Sequence, residues 1–234
     1  MESNLGIPPM VSGTHHGNLQ KVRDGKRTFG ITPHIPGGFV KIEELEKITA
    51  VAKKYDGVIK ITSGQRLLIT NLRGEDLPKV WEELGMEPAV KGQNTVKNVE
   101  MCPAGFCKRS KYNTIGMGMK LSKKYQWMPM PCRTKIGVAG CKNACGSVYA
   151  KDVGIIADKT GMMVVAGGSA GFNPRVADII IQDVSEEEAL KIVDSILAYY
   201  SENAEAGEKL GFFIDRIGLE KFKERGRKKG CRTN

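Results

Sequence analysis

Four cysteines in two close pairs have the most specific chemistry in this sequence. Cys102 and Cys107 stand in the stretch MCPAGFCKRS, and Cys141 and Cys145 stand in GVAGCKNACGS. Four thiolates in two pairs can hold an iron–sulfur cluster or a zinc ion, or they can be buried, inert apolar residues. Their spacing and their neighbours discriminate among these three interpretations.

The gaps within the pairs are four and three residues, whereas zinc knuckles typically have two. Inert thiols are expected among apolar residues, but these cysteines stand among glycine, proline, lysine and asparagine. Neighbouring glycines favour a cluster, because they let backbone amides approach inorganic sulfide. A cluster is therefore the leading interpretation, with zinc and inert thiols as alternatives, and the remaining Cys132 and Cys231 are too few for a second cluster.

Length and composition limit the classes of protein to which this chain can belong. The chain has 234 residues, of which 41% are hydrophobic, enough for one large or two small domains with a proper core. No apolar run approaches the roughly 20 residues that a membrane span requires. The first residues, MESNLGIPPM, lack the pattern of a signal peptide, so we expect a cytoplasmic protein without a membrane partner. In that compartment cysteines favour metal or redox chemistry over disulfides.

The formal charge of +10 predicts an anionic partner. Much of the excess lies in the tail, where Lys221 to Arg232 is rich in lysine and arginine. A nucleic-acid-binding arm is an alternative, but no aromatic residue is interleaved there. We expect a solvated tail or one that folds over an anionic cofactor, and no nucleic-acid partner.

The pattern of apolar residues predicts an α+β fold. A strand over Arg27 to Ile35, a helix from Ile42 to Tyr55, strands at 58–62 and 67–72 and a helix at 76–84 ended by Gly85 give the order β-α-β-β-α. That order is ferredoxin-like. Ser63, Gly64, Gln65 and Arg66 form a turn-like tetrad between the two strands.

The second part of the chain carries the cysteines. We expect a helix through residues 108–125, a strand at 135–138 that leads into the second pair and a further helix directly after it. Strands at 153–157 and 162–166 form a hairpin, and a strand at 177–184 precedes a helix capped by Ser185. The predicted domains are an arm at 1–26, a ferredoxin-like half-domain at 27–92, a cofactor domain at 93–205, and carboxy-terminal helices with a basic tail at 206–234.

Nicotinamide and flavin fingerprints are missing. Gly116 and Gly118 are followed by Leu121 where a third glycine would be required, and the glycines at 167–171 have the wrong spacing. Reducing equivalents must therefore come from another protein.

The two cysteine pairs, with KIGVAGC before Cys141, resemble the siroheme and 4Fe–4S half of the sulfite and nitrite reductase family. The segments IPGG at 35–38, TSGQ at 62–65, GIIA at 154–157 and VAGG at 165–168 are similar to further segments of that family. The resemblance covers about residues 27–222. One departure concerns the first pair, which has four intervening residues where the family usually has five.

The resemblance implies an oxidoreductase with siroheme and a 4Fe–4S cluster as cofactors. It implies that Cys102, Cys107, Cys141 and Cys145 ligate the cluster and that Cys145 also bridges to the siroheme iron. The opposite face of the siroheme would bind sulfite or nitrite, with electrons from an external donor protein such as a ferredoxin.

The resemblance also implies basic residues that bind the anion and help deliver protons. The matching segments hold Lys97, Arg133 and Lys135, and Arg66 is a displaced candidate. Siroheme carries eight carboxylates, for which the candidate partners are Lys108, Arg109 and Lys151. Gln65 and Asn143 are candidate hydrogen-bond donors to the cofactors, and turn-stabilising roles are the alternative for both.

Larger members of the family contain this unit twice, and the present chain contains it once. We therefore expect a homo-oligomer, or shielding of the cofactor by the terminal arms. Lys135 favours sulfite reduction to sulfide, whereas the turn at 63–66 resembles some bacterial nitrite reductases and favours nitrite reduction to ammonia. A non-catalytic protein that transfers electrons or carries a tetrapyrrole is the third hypothesis.

Overall fold

The computed structural model describes residues 17–20, 22 and 27–228. It divides into two compact units. The first comprises the described residues up to Ile35 together with Val40–Val90, and the second comprises Pro36–Phe39 and the described residues from Lys91 onward. In the described part of the chain, no helix is both long and apolar enough to cross a lipid bilayer.

The first unit is a four-stranded antiparallel sheet with two helices. Its strands lie in the order β1-β2-β4-β3. The elements along the chain are β1 (Asn18–Leu19), β2 (Phe29–Ile31), α1 (Ile42–Lys54), β3 (Val58–Ile61), β4 (Leu67–Leu72) and α2 (Leu77–Leu84). Apolar residues of both helices, among them Ile48, Val51 and Val80, pack with Ile69 and Leu72 of the sheet in one core.

The predicted β-α-β-β-α order of this unit is confirmed, including the end of α2 at Gly85, which takes a left-handed conformation. The first strand is shorter than predicted, because Pro33 and the turn at Pro36–Gly38 interrupt regular pairing after Ile31. Part of the predicted arm is structured too, since Asn18 and Leu19 pair with β2. The remaining residues of that arm lie largely outside the described residues.

The second unit is built on a five-stranded sheet in the order β5-β6-β7-β8-β9. Strands β5, β6 and β7 are parallel, and β8 and β9 continue antiparallel. The elements along the chain are β5 (Val96–Met101), α3 (Ile115–Tyr125), β6 (Thr134–Ala139), β7 (Val153–Ala157), β8 (Met162–Ala166), β9 (Asp178–Val184), α4 (Glu186–Asn203), α5 (Leu210–Ile217) and α6 (Leu219–Lys228). The predicted α+β class is confirmed, and so is the β7–β8 hairpin.

The helices of this unit pack mainly against one face of the sheet. Apolar residues of α3 and α4 share a large core with alternate residues of β5, β6 and β7, such as Val99, Ile136 and Ile155. Helix α4 begins as predicted at Ser185, whose hydroxyl accepts a hydrogen bond from the amide of Glu188 while the Glu188 carboxylate accepts one from the Ser185 amide.

Two helix predictions near the cysteines were wrong. Helix α3 begins at Ile115 rather than near Lys108, because the intervening residues form turns that contact the second cysteine segment. No α-helix follows Cys145 directly. Ala144 and Ser147 have left-handed backbone conformations that interrupt a helix, and only a short 3₁₀ turn at Val148–Ala150 forms.

The segment Pro36–Phe39 belongs to the second unit because it packs against the end of β5. A Cβ atom at Gly37 would lie 2.5 Å from Met101 Cγ, and one at Gly118 of α3 would lie 2.6 Å from Met101 Sδ. The side chain of Met101 therefore fits between two glycines, directly before Cys102.

We predict that Gly37→Ala lowers the free energy of unfolding by about 1–2 kcal/mol, because Gly37 has φ of +59° and its neighbour Met101 must shift. Thermal or urea unfolding measures this. Gly116→Ala is the matched control. No atom lies within 4 Å of the added Cβ, so this variant is expected to be neutral or slightly more stable.

Candidate iron–sulfur and anion site

The first cysteine pair begins where β5 ends. The amide of Cys102 donates to the carbonyl of Val138 in β6 at 3.0 Å, so Cys102 continues the pairing of the two strands. A 3₁₀ turn at Ala104–Phe106 follows, and the amide of Cys107 donates to the carbonyl of Ala104 at 3.2 Å. This turn accommodates the four residues between Cys102 and Cys107, and none of them has a left-handed backbone conformation.

The second pair begins where β6 ends. The amide of Ala144 donates to the carbonyl of Cys141 at 3.1 Å, and the amide of Ser147 donates to the carbonyl of Ala144 at 2.8 Å. Because β5 and β6 are parallel neighbours, both pairs lie at the carboxyl edge of the sheet. We call this edge, with Cys102, Cys107, Cys141 and Cys145, the thiolate edge.

Gly140 joins the two cysteine segments. Its amide donates to Cys102 Sγ at 3.1 Å, and its carbonyl accepts hydrogen bonds from the Lys111 amide at 2.7 Å and from Ser110 Oγ at 3.2 Å. A Cβ at this position would overlap Ser110 Oγ and would lie 2.7 Å from Ala104 Cβ. Only glycine therefore allows the first segment to pack this closely on the second.

The sulfur atoms differ in exposure and in hydrogen bonding. Cys102 and Cys141 are half-buried, while Cys107 and Cys145 are exposed. The Asn143 side-chain amide donates to Cys145 Sγ at 2.9 Å. Hydrogen bonds to ligand sulfur stabilise a reduced cluster and so raise its potential.

The thiols suit a cluster that takes one thiolate for each iron. They are uncrosslinked, they lie at one edge, and glycine and asparagine amides point at two of the sulfurs. In the described residues no three His, Cys, Asp or Glu side chains converge on a single-ion site.

Lys97, Arg133 and Lys135 lie at the opposite, amino edge of the parallel strands, which we call the basic edge. Val96 pairs with Thr134, and Asn98 pairs with Lys135, so the three basic residues occupy neighbouring positions. Lys97 Nζ donates a hydrogen bond to the carbonyl of Gly92. Lys135 is exposed, but partial desolvation of its ammonium lowers its pKa, and the positive charges of Lys151 and Arg133 lower this pKa further.

The basic edge and the thiolate edge are separated by the length of β6. That strand has six residues and spans about 17 Å at about 3.3 Å per residue. The structure thus brings the three basic residues together and the four cysteines together, but it leaves the two sets at opposite ends of one strand.

Lys151 is buried, and its Nζ lies 2.6 Å from Glu100 Oε2. Its predicted role as a partner of a cofactor carboxylate remains a prediction. Lys108 and Arg109, in contrast, are exposed in the loop directly after Cys107, where they remain candidate partners of a carboxylate.

Gln65 and Arg66 lie in the first unit, in the turn between β3 and β4. The amide of Arg66 donates to Thr62 Oγ1 at 3.2 Å, and the Thr62 hydroxyl donates to the carbonyl of Arg66 at 3.0 Å. Gln65 has φ of +57°, a left-handed conformation that is uncommon outside glycine. The turn is held tightly by its own backbone, and the cofactor role of both residues remains a prediction.

Two family models match the chain. The nitrite and sulphite reductase 4Fe-4S domain matches residues 92–229, and the nitrite/sulfite reductase ferredoxin-like half domain matches residues 20–87. The chain belongs to the nitrite and sulphite reductase family. It is an oxidoreductase chain of that family, as the resemblance of its motifs predicted.

Relatives in the family differ in size. The chain is 29% identical to the assimilatory-type sulfite reductase of Nitratidesulfovibrio vulgaris, over 85% of this chain and 92% of that protein. It is 32% identical to a nitrite reductase [NAD(P)H] of Bacillus subtilis over 89% of this chain, and 31% identical to the nitrite reductase (NADH) large subunit of Escherichia coli over 80%. It spans only 26% and 22% of these two nitrite reductases.

Solved structures support the fold. The Mycobacterium tuberculosis NirA protein superimposes with a TM-score of 0.77 at 16% identity, over 92% of this chain and 45% of that chain. Dissimilatory sulfite reductase I superimposes with a TM-score of 0.76 at 15% identity, over 86% and 69%.

Sequence reasoning missed three residues of this candidate site. Gly140 and Ser110 join the cysteine segments, and Glu100 pairs with Lys151. The glycine directly before Cys141 was a visible signal for a close backbone approach. Glu100 had a weaker signal, a lone carboxylate within the apolar-rich strand that leads to Cys102.

We predict that Gly140→Ala reduces bound iron and acid-labile sulfide per chain severalfold, because the new methyl group forces the two cysteine segments apart. Gly146→Ala is the matched control. It stands beside Cys145, yet no atom lies within 4 Å of its added Cβ, so cluster content is expected to stay at the unmodified level. Equal cluster content in both variants would contradict the role of Gly140.

Proposed function

We propose that this protein reduces sulfite to sulfide with a 4Fe–4S cluster and siroheme, using electrons from a separate donor protein. The observation that carries the proposal is the thiolate edge, where two cysteine segments meet at the ends of adjacent parallel strands. The assimilatory-type sulfite reductase of Nitratidesulfovibrio vulgaris matches this chain over 92% of its own length. That agreement in size favours sulfite over nitrite.

The proposed ligands of the cluster are the four cysteines of the thiolate edge, and Cys145 is the proposed ligand shared with the siroheme iron. Exposure of Cys145 leaves its sulfur accessible to a second group. Lys108 and Arg109 are exposed beside Cys107 and would bind carboxylates of the macrocycle. When bound, this cofactor pair supplies electrons repeatedly to one substrate atom.

The chain's own residues supply charge and protons. Sulfite is an anion whose oxygens leave as water, so it requires cationic groups and proton donors. Arg133 is exposed and suits anion binding, and Lys135 combines an exposed side chain with a lowered pKa, which favours proton release. Lys97 and Arg66 are further candidates for this role.

A homo-oligomer is part of the proposal. Within one chain, the basic edge and the thiolate edge stand at opposite ends of β6, about 17 Å apart. The basic edge of a second copy, placed against the thiolate edge of the first, would bring Arg133 and Lys135 to the substrate. Shielding of the cofactor by the terminal arms is the alternative, and most of the arm residues lie outside the described part of the chain.

The electron donor is proposed to be a separate protein such as a ferredoxin. The sequence has no nicotinamide or flavin fingerprint, and Cys107 and Cys145 bring the thiolate edge to the surface. A short path from the surface to the thiolates is what electron entry from a docked protein requires.

Nitrite reduction to ammonia is the second candidate function. It is favoured by the relatives of about one-third identity, which are named nitrite reductases, and by the turn at residues 63–66. A non-catalytic electron carrier is the third candidate, but it has no evident need for the basic edge.

We predict that Arg133→Ala/Lys135→Ala lowers turnover of the anion by about 100-fold or more, because both cationic groups are lost. Turnover is measured anaerobically with sulfite and with nitrite under reduced viologen, and the visible spectrum reports the cofactors. Arg133→Lys/Lys135→Arg preserves the charge and is expected to retain more activity. Full activity of the alanine variant with an intact spectrum would refute the assigned role.

We predict that two variants, each inactive alone, regain turnover when they assemble in one oligomer. Cys145→Ser and Arg133→Ala/Lys135→Ala are co-expressed with different affinity tags and purified through both tags. In a dimer one of the two sites then has intact cysteines from one copy and intact basic residues from the other, so turnover returns to about half the unmodified value. Absence of recovery in a doubly tagged oligomer would contradict completion of the site across copies.

A further inference from the structure

A buried ion pair lies between the basic edge and the thiolate edge. Lys151 Nζ is 2.6 Å from Glu100 Oε2, and the two side chains are 10% and 4% exposed. Glu100 Oε1 has no hydrogen-bond partner in the described residues. Removing two charges from water is unfavourable, so this pair adds little net stability and calls for another explanation.

The backbone makes room for this pair. Glu100 of β5 pairs with Gly137 of β6, and Gly137 pairs in turn with Gly154 of β7. A Cβ at Gly137 would lie 3.0 Å from Lys151 Cγ. The stem of Lys151 therefore starts just before β7 and crosses β6 directly over Gly137 to reach Glu100 on β5.

Lys135 lies beside this crossing. Alternate residues of a strand share a face, so Lys135 and Gly137 are on the same face, about 7 Å apart along β6. The backbone amide of Lys135 donates to Asp152 Oδ2 at 2.8 Å, and Asp152 also accepts from Lys209 Nζ at 3.0 Å. Asp152, which directly follows Lys151, thus holds the backbone of Lys135 in place.

We propose that Glu100 and Lys151 are positioning residues for Lys135. Glu100 holds the Lys151 ammonium at a fixed place beside Lys135, and the like charge promotes proton transfer from Lys135 to the bound anion. In that step an N–H bond of the Lys135 ammonium breaks, the proton goes to a substrate oxygen, and the neutral amine regains a proton from water at the exposed edge. This inference rests on the proposed function.

The charged groups that act on Lys135 come from three places. Lys151 and Arg133 lower its pKa, after burial, while Glu100 and Asp152 oppose them. The two members of the buried pair therefore act on Lys135 in opposite directions, as their opposite charges require, and Lys151 acts the more strongly.

The test measures the protonation of Lys135 directly. The intact holoprotein is labelled anaerobically with acetic anhydride over a range of pH, and mass spectrometry reads the modification of Lys135, since only the neutral amine reacts. Lys151→Met is expected to raise the midpoint by about one pH unit, and Glu100→Gln is expected to lower it by a smaller amount. Unmoved midpoints, or shifts of the same sign, would overturn the proposal.

Each single change leaves one buried charge without its partner, so either variant can fail to fold. Glu100→Gln/Lys151→Met removes both charges, and its midpoint is expected slightly above that of the unmodified protein, since Lys151 acts more strongly on Lys135 than Glu100 does. Lys120→Met is the control, because Lys120 of α3 pairs with Glu186 of α4 through two exposed side chains. A double variant whose midpoint equals that of the control would also overturn the proposal.

The pH dependence of turnover tests whether the shifted labelling midpoints of Lys135 affect catalysis. If Lys135 donates the proton, turnover falls as pH rises through its pKa, so Lys151→Met moves this fall to higher pH and Glu100→Gln moves it to lower pH. Shifted labelling with an unshifted turnover profile refutes proton donation and leaves anion reduction standing. An unmodified protein that reduces neither anion refutes the proposed function, and labelling still decides whether the pair controls Lys135.

Discussion

The parallel pairing of β5 with β6 is the constraint on which the candidate site depends. Met101 pairs with Val138, and the amide of Cys102 continues the ladder to the Val138 carbonyl. Both cysteine segments consequently leave the sheet at the same edge. A parallel pair requires a crossover connection, and here that connection contains α3. Helix α3 covers the face of the sheet that carries Val99 and Ile136, and its apolar residues lie in the same core.

Glycine at close approaches is the second recurring device. Gly140 allows the cysteine segments to touch, Gly137 lets Lys151 cross a strand, and Gly37 accommodates Met101 just before the first cysteine. At each point a side chain or backbone group occupies the space that a Cβ would fill. The close packing around the site therefore depends on the lack of a side chain at these glycines, as well as on the cysteines and the charged residues.

Charge is distributed along one face of the sheet. Glu100 and Cys102 alternate on β5 with residues that face the core, and Lys135 lies on the corresponding face of β6. Basic groups stand at one end of this face and thiolates at the other. A chain with a single copy of this unit is proposed to work as an assembly.

Elements with local signals were predictable. Strand β4, the end of α2 at Gly85 and the helix cap at Ser185 depend on neighbouring residues, and the structure confirmed each of them. The predicted helices around the cysteines were wrong in extent, because contacts distant in sequence, such as the Lys111 amide with the Gly140 carbonyl, outweigh helical propensity there.

The sequence by itself determined the cysteine pairs, the α+β class and the family, because residue types at short spacings carry that information. Only the tertiary structure decided that Lys151 pairs with Glu100, that Gly140 joins the two segments and that the basic residues stand a strand's length from the thiolates. Those relations depend on which strands become neighbours and in what register. Register follows from the packing of the whole sheet, and no local stretch of the chain encodes it.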